Sequence, residues 1–104
     1  MSYRLTYLDD AKQDMREITK YLAQFYASTA RNFLTTLKER VRSLKDMPYM
    51  CPAYEKDPFF QRMVIKDHLL YYSVDEERKL VVIHRVFHHA QDIDRHMLEY
   101  RTQE

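Results

Sequence analysis

From Ser2 to Leu8 the chain alternates, with Tyr3, Leu5 and Tyr7 on one parity and Arg4 and Thr6 on the other. That is the period of a half-buried strand. At Asp9-Asp10 the spacing changes: Ala11, Met15, Ile18, Leu22 and Phe25 recur at intervals of 4, 3, 4 and 3, which predicts an amphipathic helix. Asp10 and Gln13 stand at capping-box spacing at its start. A second stripe of Ala30, Phe33, Leu34, Leu37, Val41 and Leu44 predicts another helix, capped by Ser28 or Thr29 and ended by Pro48. Only two or three residues separate the helices, so they pack as an antiparallel hairpin.

The segment from Pro48 to Pro58 is the one long irregular stretch. Three strands follow, Phe60–Lys66, Leu69–Val74 and Leu80–Phe87, with links too short for parallel crossovers. They form an antiparallel meander, and the first strand adds at an edge. Beyond them Ile93, Met97 and Leu98 have helical spacing. The order β-α-α-β-β-β(-α) is an α+β fold, a helical hairpin packed on a twisted, mainly antiparallel four-stranded sheet. The hairpin covers one sheet face and leaves the other partly open for a partner. Tyr71 and Tyr72 point to opposite faces, so one belongs to the core and the other lines the open face.

Composition narrows this picture. At 104 residues and 45% hydrophobic content, the chain suits one domain over residues 1–104 with a single core. Glycine is absent, which excludes glycine-rich phosphate loops and leaves tight turns to other residues. A lone Cys51, with no sign of activation, cannot form an internal disulfide, and no apolar run is long enough to cross a bilayer. A cytoplasmic protein without a membrane role is the expectation. Net charge is only +1, so any nucleic-acid role must rest on a local patch. From Ser28 to Lys45 five cations (Arg31, Lys38, Arg40, Arg42 and Lys45) face the single carboxylate of Glu39. Such charges are most often a solvated helix surface.

Candidate chemistry concentrates at the end of the last strand, where Arg85, His88 and His89 emerge from Val81-Val-Ile-His-Arg-Val-Phe87. His84 and His88 are four apart, a metal spacing on a helix but not on this β-branched strand, where they stand about 13 Å apart at ~3.3 Å per residue. Neither a metal nor a cofactor is expected. Arg62 and Arg85 sit among apolar neighbours, so each needs a carboxylate partner.

Taken together, the initial strand running into Asp9-Asp10-Ala11, the helical hairpin, and Ser43-Leu-Lys-Asp-Met-Pro48 resemble the RelE/ParE toxin superfamily of bacterial type II toxin–antitoxin systems. Phe60-Gln-Arg-Met-Val-Ile65, Leu69-Leu-Tyr-Tyr-Ser-Val74 and Val82-Ile-His-Arg-Val-Phe-His-His89 with Asp92 continue the resemblance across nearly the whole chain. The resemblance implies a growth-inhibiting toxin of the plasmid-stabilization type, neutralised by a cognate antitoxin and able to form a heterotetramer with it. ParE-like members act on DNA gyrase; RelE-like members cut mRNA on the ribosome. Of the RelE-like catalytic positions, Arg62 matches a basic residue, but the others fall at Leu69, near Ala90 and near His96. The resemblance therefore leans to the ParE side. The alternatives are a ribosome-dependent endoribonuclease, with Arg62, Arg85, His88 and His89 as catalytic candidates, and a degenerate toxin that only binds its antitoxin. For antitoxin or target binding the candidates are Arg62, Tyr71, Arg85, His88 and His89, with acidic antitoxin groups set against Arg62 and Arg85.

Overall fold

A computed structural model describes residues 2–88 and 93–102. The elements run β1 (Arg4–Tyr7), α1 (Asp9–Ala23), α2 (Ala27–Arg42), a 3₁₀ turn (Ser43–Lys45), β2 (Gln61–Ile65), β3 (His68–Asp75), β4 (Leu80–His88) and α3 (Ile93–Thr102). The sheet order is β1-β4-β3-β2. β2, β3 and β4 form the expected antiparallel meander, and β1 joins the edge in parallel to β4, Arg4 opposite Leu80 through Tyr7 opposite Ile83.

Apolar spacing places the helices correctly, but their caps differ from expectation. α1 starts from Leu8 in extended backbone without a side-chain cap, and Gln13 instead donates to Glu17 and accepts from Arg16. Asp9 and Asp10 act in the first turn as anions near the positive end of the helix. α2 starts from Tyr26, which puts Ser28 and Thr29 inside its first turn. Phe25 falls beyond the end of α1 and is exposed, its ring edge-on to Tyr21. α2 gives way to the 3₁₀ turn before Pro48, whose carbonyl accepts the Tyr72 hydroxyl at 2.7 Å.

Both sheet faces are covered. Ala11, Met15, Phe33, Leu37 and Val41 of the hairpin pack on Met63, Ile65, Leu70, Tyr72, Val81, Ile83 and Val86. On the other face α3 closes over Tyr71 and Phe87 with Ile93, Met97 and Tyr100, joined by Tyr54 and Phe60. The open face expected from the sequence is therefore a second apolar layer. Tyr71 and Tyr72 do point to opposite faces, yet both are 0% exposed. Leu98, expected on the buried stripe of α3, is exposed, and Tyr100 takes that place.

Without glycine, two lysines take left-handed backbone: Lys66 (φ 54°) in the β2–β3 turn and Lys79 (φ 51°) ahead of β4. At this end of the sheet the Glu76 carboxylate accepts hydrogen bonds from Tyr49, from Tyr3 at 2.9 Å and from Lys79 at 2.9 Å. These donors, Tyr49 foremost, hold the Glu76 carboxyl down at about 2, and the hydrogen bond to that carboxylate pushes the Tyr49 hydroxyl up to about 12. A carboxylate with a lowered folded-state pKa stabilises above its ordinary range and loses that contribution as pH falls through the folded value. Glu76→Gln should therefore lower the thermal midpoint at pH 7, and the difference from wild type should close between about pH 4.5 and 2 in a calorimetric series.

Candidate functional site

β1 stops at Tyr7, while β4 runs on to His88. On the side away from β3, the backbone of β4 beyond Ile83 thus has no strand beside it, and α1 crosses there instead. Asp14 of α1 supplies the missing acceptor: its Oδ2 takes the Val86 amide at 2.9 Å and the Arg85 Nε at 2.7 Å, and its Oδ1 takes the Arg85 Nη2 at 2.9 Å. Asp14 is 9% exposed and holds the guanidinium in the bidentate geometry that suits arginine. The hydrogen bonds to Asp14 raise the Arg85 pKa further above its ordinary value, against the opposing effect of burial.

A bulge aims these groups. Tyr72 faces Ile83 and Tyr71 faces Arg85, so His84 is the extra residue of β4. Its ring turns into the layer under α3, with Nε2 at 2.8 Å from the Ser73 hydroxyl and Nδ1 at 2.7 Å from the Tyr100 hydroxyl. Phe59, Phe60 and Tyr100 stand edge-on around it. Arg85 lies over the rings of Phe87 at 4.6 Å and Tyr100 at 5.6 Å, and His96 stacks on Phe87 at 5.7 Å. α3 is also tied to the 48–60 segment. Tyr54 donates to Asp94, and Arg101 pairs with Asp57 at 3.4 Å while lying 3.9 Å from the Phe59 ring.

Arg62, Tyr71 and Arg85 form one cross-strand row through β2, β3 and β4. Arg62 is exposed and lies over the Tyr54 ring at 5.9 Å. Tyr71 is buried beneath α3 between Tyr54 and Phe87, so it lines no open face. Burial raises its hydroxyl pKa, and the Arg62 cation partly offsets this. His88 reaches a groove of about 350 Å³ between α1 and β4, whose walls include Glu17, Tyr21, Phe87 and His96. His89, Ala90 and Asp92 lie outside the described residues. The expectation that Arg85 waits for an external carboxylate is corrected, because Asp14 already fills that role. Among the described residues no three His, Cys, Asp or Glu side chains converge as a metal site.

Sequence reasoning missed Asp14, Ser73 and Tyr100. Two of these had a signal: Asp14 is a carboxylate in phase with the apolar stripe of α1, and Tyr100 continues the Ile93, Met97 stripe at i+7. Ser73 had none.

The model of the family described as ParE toxin of type II toxin–antitoxin system, parDE, matches residues 5–93. No curated protein matches the sequence. Among solved structures, the chain is similar to a chain of the chromosomal ParDE system from P. aeruginosa, at TM-score 0.72 and 14% identity over 84% of this chain and 96% of that one. It is also similar to a chain of the toxin–antitoxin complex RelBE2 from Mycobacterium tuberculosis, at TM-score 0.64 and 19% identity over 85% and 99%. A chain of the intact E. coli RelBE complex gives TM-score 0.59 and 16% identity over 82% and 94%. At such identities the likeness is one of fold.

Removing one partner of the Asp14–Arg85 pair strands a partly buried charge and a strand amide. Asp14→Asn should cost about 3 kcal/mol in urea unfolding. The double variant Asp14→Leu/Arg85→Met should lose clearly less than the sum of the two single losses.

Proposed function

The chain belongs to the ParE toxin family, the toxin component of type II toxin–antitoxin systems, and from that membership we propose that it arrests growth by engaging DNA gyrase in the cytoplasm and is neutralised by a cognate antitoxin. The observation that carries this reading is the clasp on Arg85. A nuclease that works by in-line attack needs cations free to meet phosphate. Here the arginine at the strand end is bound bidentately from within, and its carboxylate partner also fixes the strand backbone. The remaining positions at which a RelE-like set would stand include Leu69, half-buried in the α3 layer, and His96, stacked on Phe87. Leu69 carries no charge, and the His96 ring is engaged with Phe87. The weak net charge of +1 supports the same reading, since a ribosome-directed nuclease must compete for dense phosphate.

Engagement of a protein target calls for exposed groups on a firm scaffold. Arg62 beside Tyr54 offers one, and the exposed Tyr21, Phe25 and Tyr26 at the α1–α2 corner offer an aromatic patch. Aromatic and arginine side chains are the residue types that dominate protein–protein contacts.

Induction of the chain in a bacterium should produce filamentation and a DNA-damage response, with supercoiling by purified gyrase inhibited. Co-expression of the short protein encoded beside it should restore growth. Rapid codon-linked mRNA cleavage with intact supercoiling would replace gyrase with the ribosome as target. Unaffected growth with abundant folded protein would make the chain a degenerate toxin.

A further inference from the structure

Among the described residues, the side chains of Arg31, Lys38 and Arg42 on α2 enter no ion pair or hydrogen bond. At about 100° per residue they fall, with Thr35 between them, inside about 60° of arc. That arc is turned away from the buried Phe33, Leu37 and Val41, and all four side chains on it are exposed. From Arg31 to Arg42 the row is about 16 Å long at ~1.5 Å per residue. α1 adds to it, because Lys12 and Arg16 line a groove of about 380 Å³ together with Lys38.

A merely solvated helix face mixes the two signs, each cation supported by a carboxylate three or four residues away. Here Lys38 and Arg42 are like charges at i,i+4, a spacing that disfavours the helix. Carboxylates are near: Asp9 stands three residues before Lys12, Glu39 three before Arg42, and Asp46 four after it. Among the described residues none of the three is in an ion pair, so none neutralises the row. Arg16 alone of the five cations makes a side-chain hydrogen bond, to Gln13 at 2.9 Å. Arg42 closes the β1 end: burial raises the pKa of the Tyr7 hydroxyl, and the Arg42 charge partly offsets that.

We propose that Arg31, Lys38 and Arg42, with Lys12 and Arg16 beside them, rest on the phosphate backbone of the duplex DNA that gyrase holds when the toxin engages it. The inference rests on the gyrase reading and adds DNA to the surface that the toxin binds. Duplex DNA carries one charge per about 1.7 Å of axis, so a straight row of cations meets several phosphates. Arg31, Thr35, Lys38 and Arg42 include no ring, so the row offers charge without the stacking platform that an unpaired strand needs. Contacts to phosphate alone carry no sequence preference. At +1 the whole chain has no field to draw DNA from solution, and a local row reaches only about one Debye length, roughly 8 Å at physiological salt. The row therefore acts after a protein contact has set the chain beside DNA, where the second contact is intramolecular and gains effective concentration.

The test measures binding of the full chain to purified gyrase, DNA-free and loaded with a linear duplex of mixed sequence, across a salt series. Wild type should bind loaded gyrase about tenfold or more tightly than DNA-free gyrase. Arg31→Glu/Lys38→Glu should fold as wild type by circular dichroism, bind DNA-free gyrase with unchanged affinity and lose the gain from DNA. Its salt slope on loaded gyrase should fall by about two, one for each lost phosphate contact. Thr35→Lys, which fills the gap in the row, should enlarge the gain. Lys56→Glu, an exposed reversal in the 48–60 segment, should change neither affinity. A double variant that keeps the gain overturns the inference, and so does equal loss with Lys56→Glu. Weaker binding of the double variant to DNA-free gyrase puts the row on protein and overturns it as well. Wild-type binding to gyrase that is indifferent to DNA overturns this inference alone. Absence of binding to gyrase in either state overturns the gyrase reading itself and this inference with it.

Discussion

The structure depends on one carboxylate doing the work of a missing strand. β4 is an inner strand of the sheet but outlasts its neighbour β1, and an unpaired amide at Val86 would carry the cost of a buried, unsatisfied donor, about 1–3 kcal/mol. Asp14 removes that cost and uses its second oxygen to fix Arg85. The hairpin is therefore fastened to the sheet by geometry as well as by apolar contact. Hydrophobic packing alone would permit α1 to slide along its stripe; a bidentate ion pair with an added backbone bond allows one register.

The same clasp sets what lies on the far face. While Asp14 holds Arg85 from α1, the guanidinium also lies over Phe87 and Tyr100, and the bulge turns His84 into the same layer, into hydrogen bonds with Ser73 and Tyr100. α3 then seats Ile93, Met97 and Tyr100 on Tyr71 and Phe87. Each large apolar side chain buried in this layer contributes roughly 1.5–3 kcal/mol. Polar ties at Asp94 and Arg101 choose the orientation of the helix over that layer. The cross-strand row Arg62, Tyr71, Arg85 thus has one exposed end, one buried middle and one end neutralised from within.

Element order, the meander and the hairpin were legible because apolar period alone determines them. Val81, Ile83 and Val86 show why it works less well at the strand end: the inserted His84 shifts parity, and no local pattern announces a bulge. The helix caps misled because Asp10 and Ser28 have the right chemistry two residues from where the backbone turns, at Leu8 and Tyr26. The spacing Ile93, Met97, Leu98 misplaces the last position, because about 100° per residue puts Tyr100 in line with Ile93 and Met97 and Leu98 off it. Asp14 was passed over because a carboxylate in an apolar stripe reads as surface until its partner, 71 residues away, is in view. Long-range pairing of charge is the part of a site that local reading cannot reach.

The parallel pairing of β1 with β4 has a consequence for the order in which the protein comes into being. Residues 4–7 find their partners at 80–83, and Asp14 finds its own at 85 and 86. During synthesis at roughly 5–20 residues per second, the first strand and the inner face of the hairpin wait for several seconds before anything can cover them. Closing so long a loop is slow, and most of the stabilising contacts arrive together at its end. The sheet and the clasp on Arg85 are thus gained together, in a step that waits for β4.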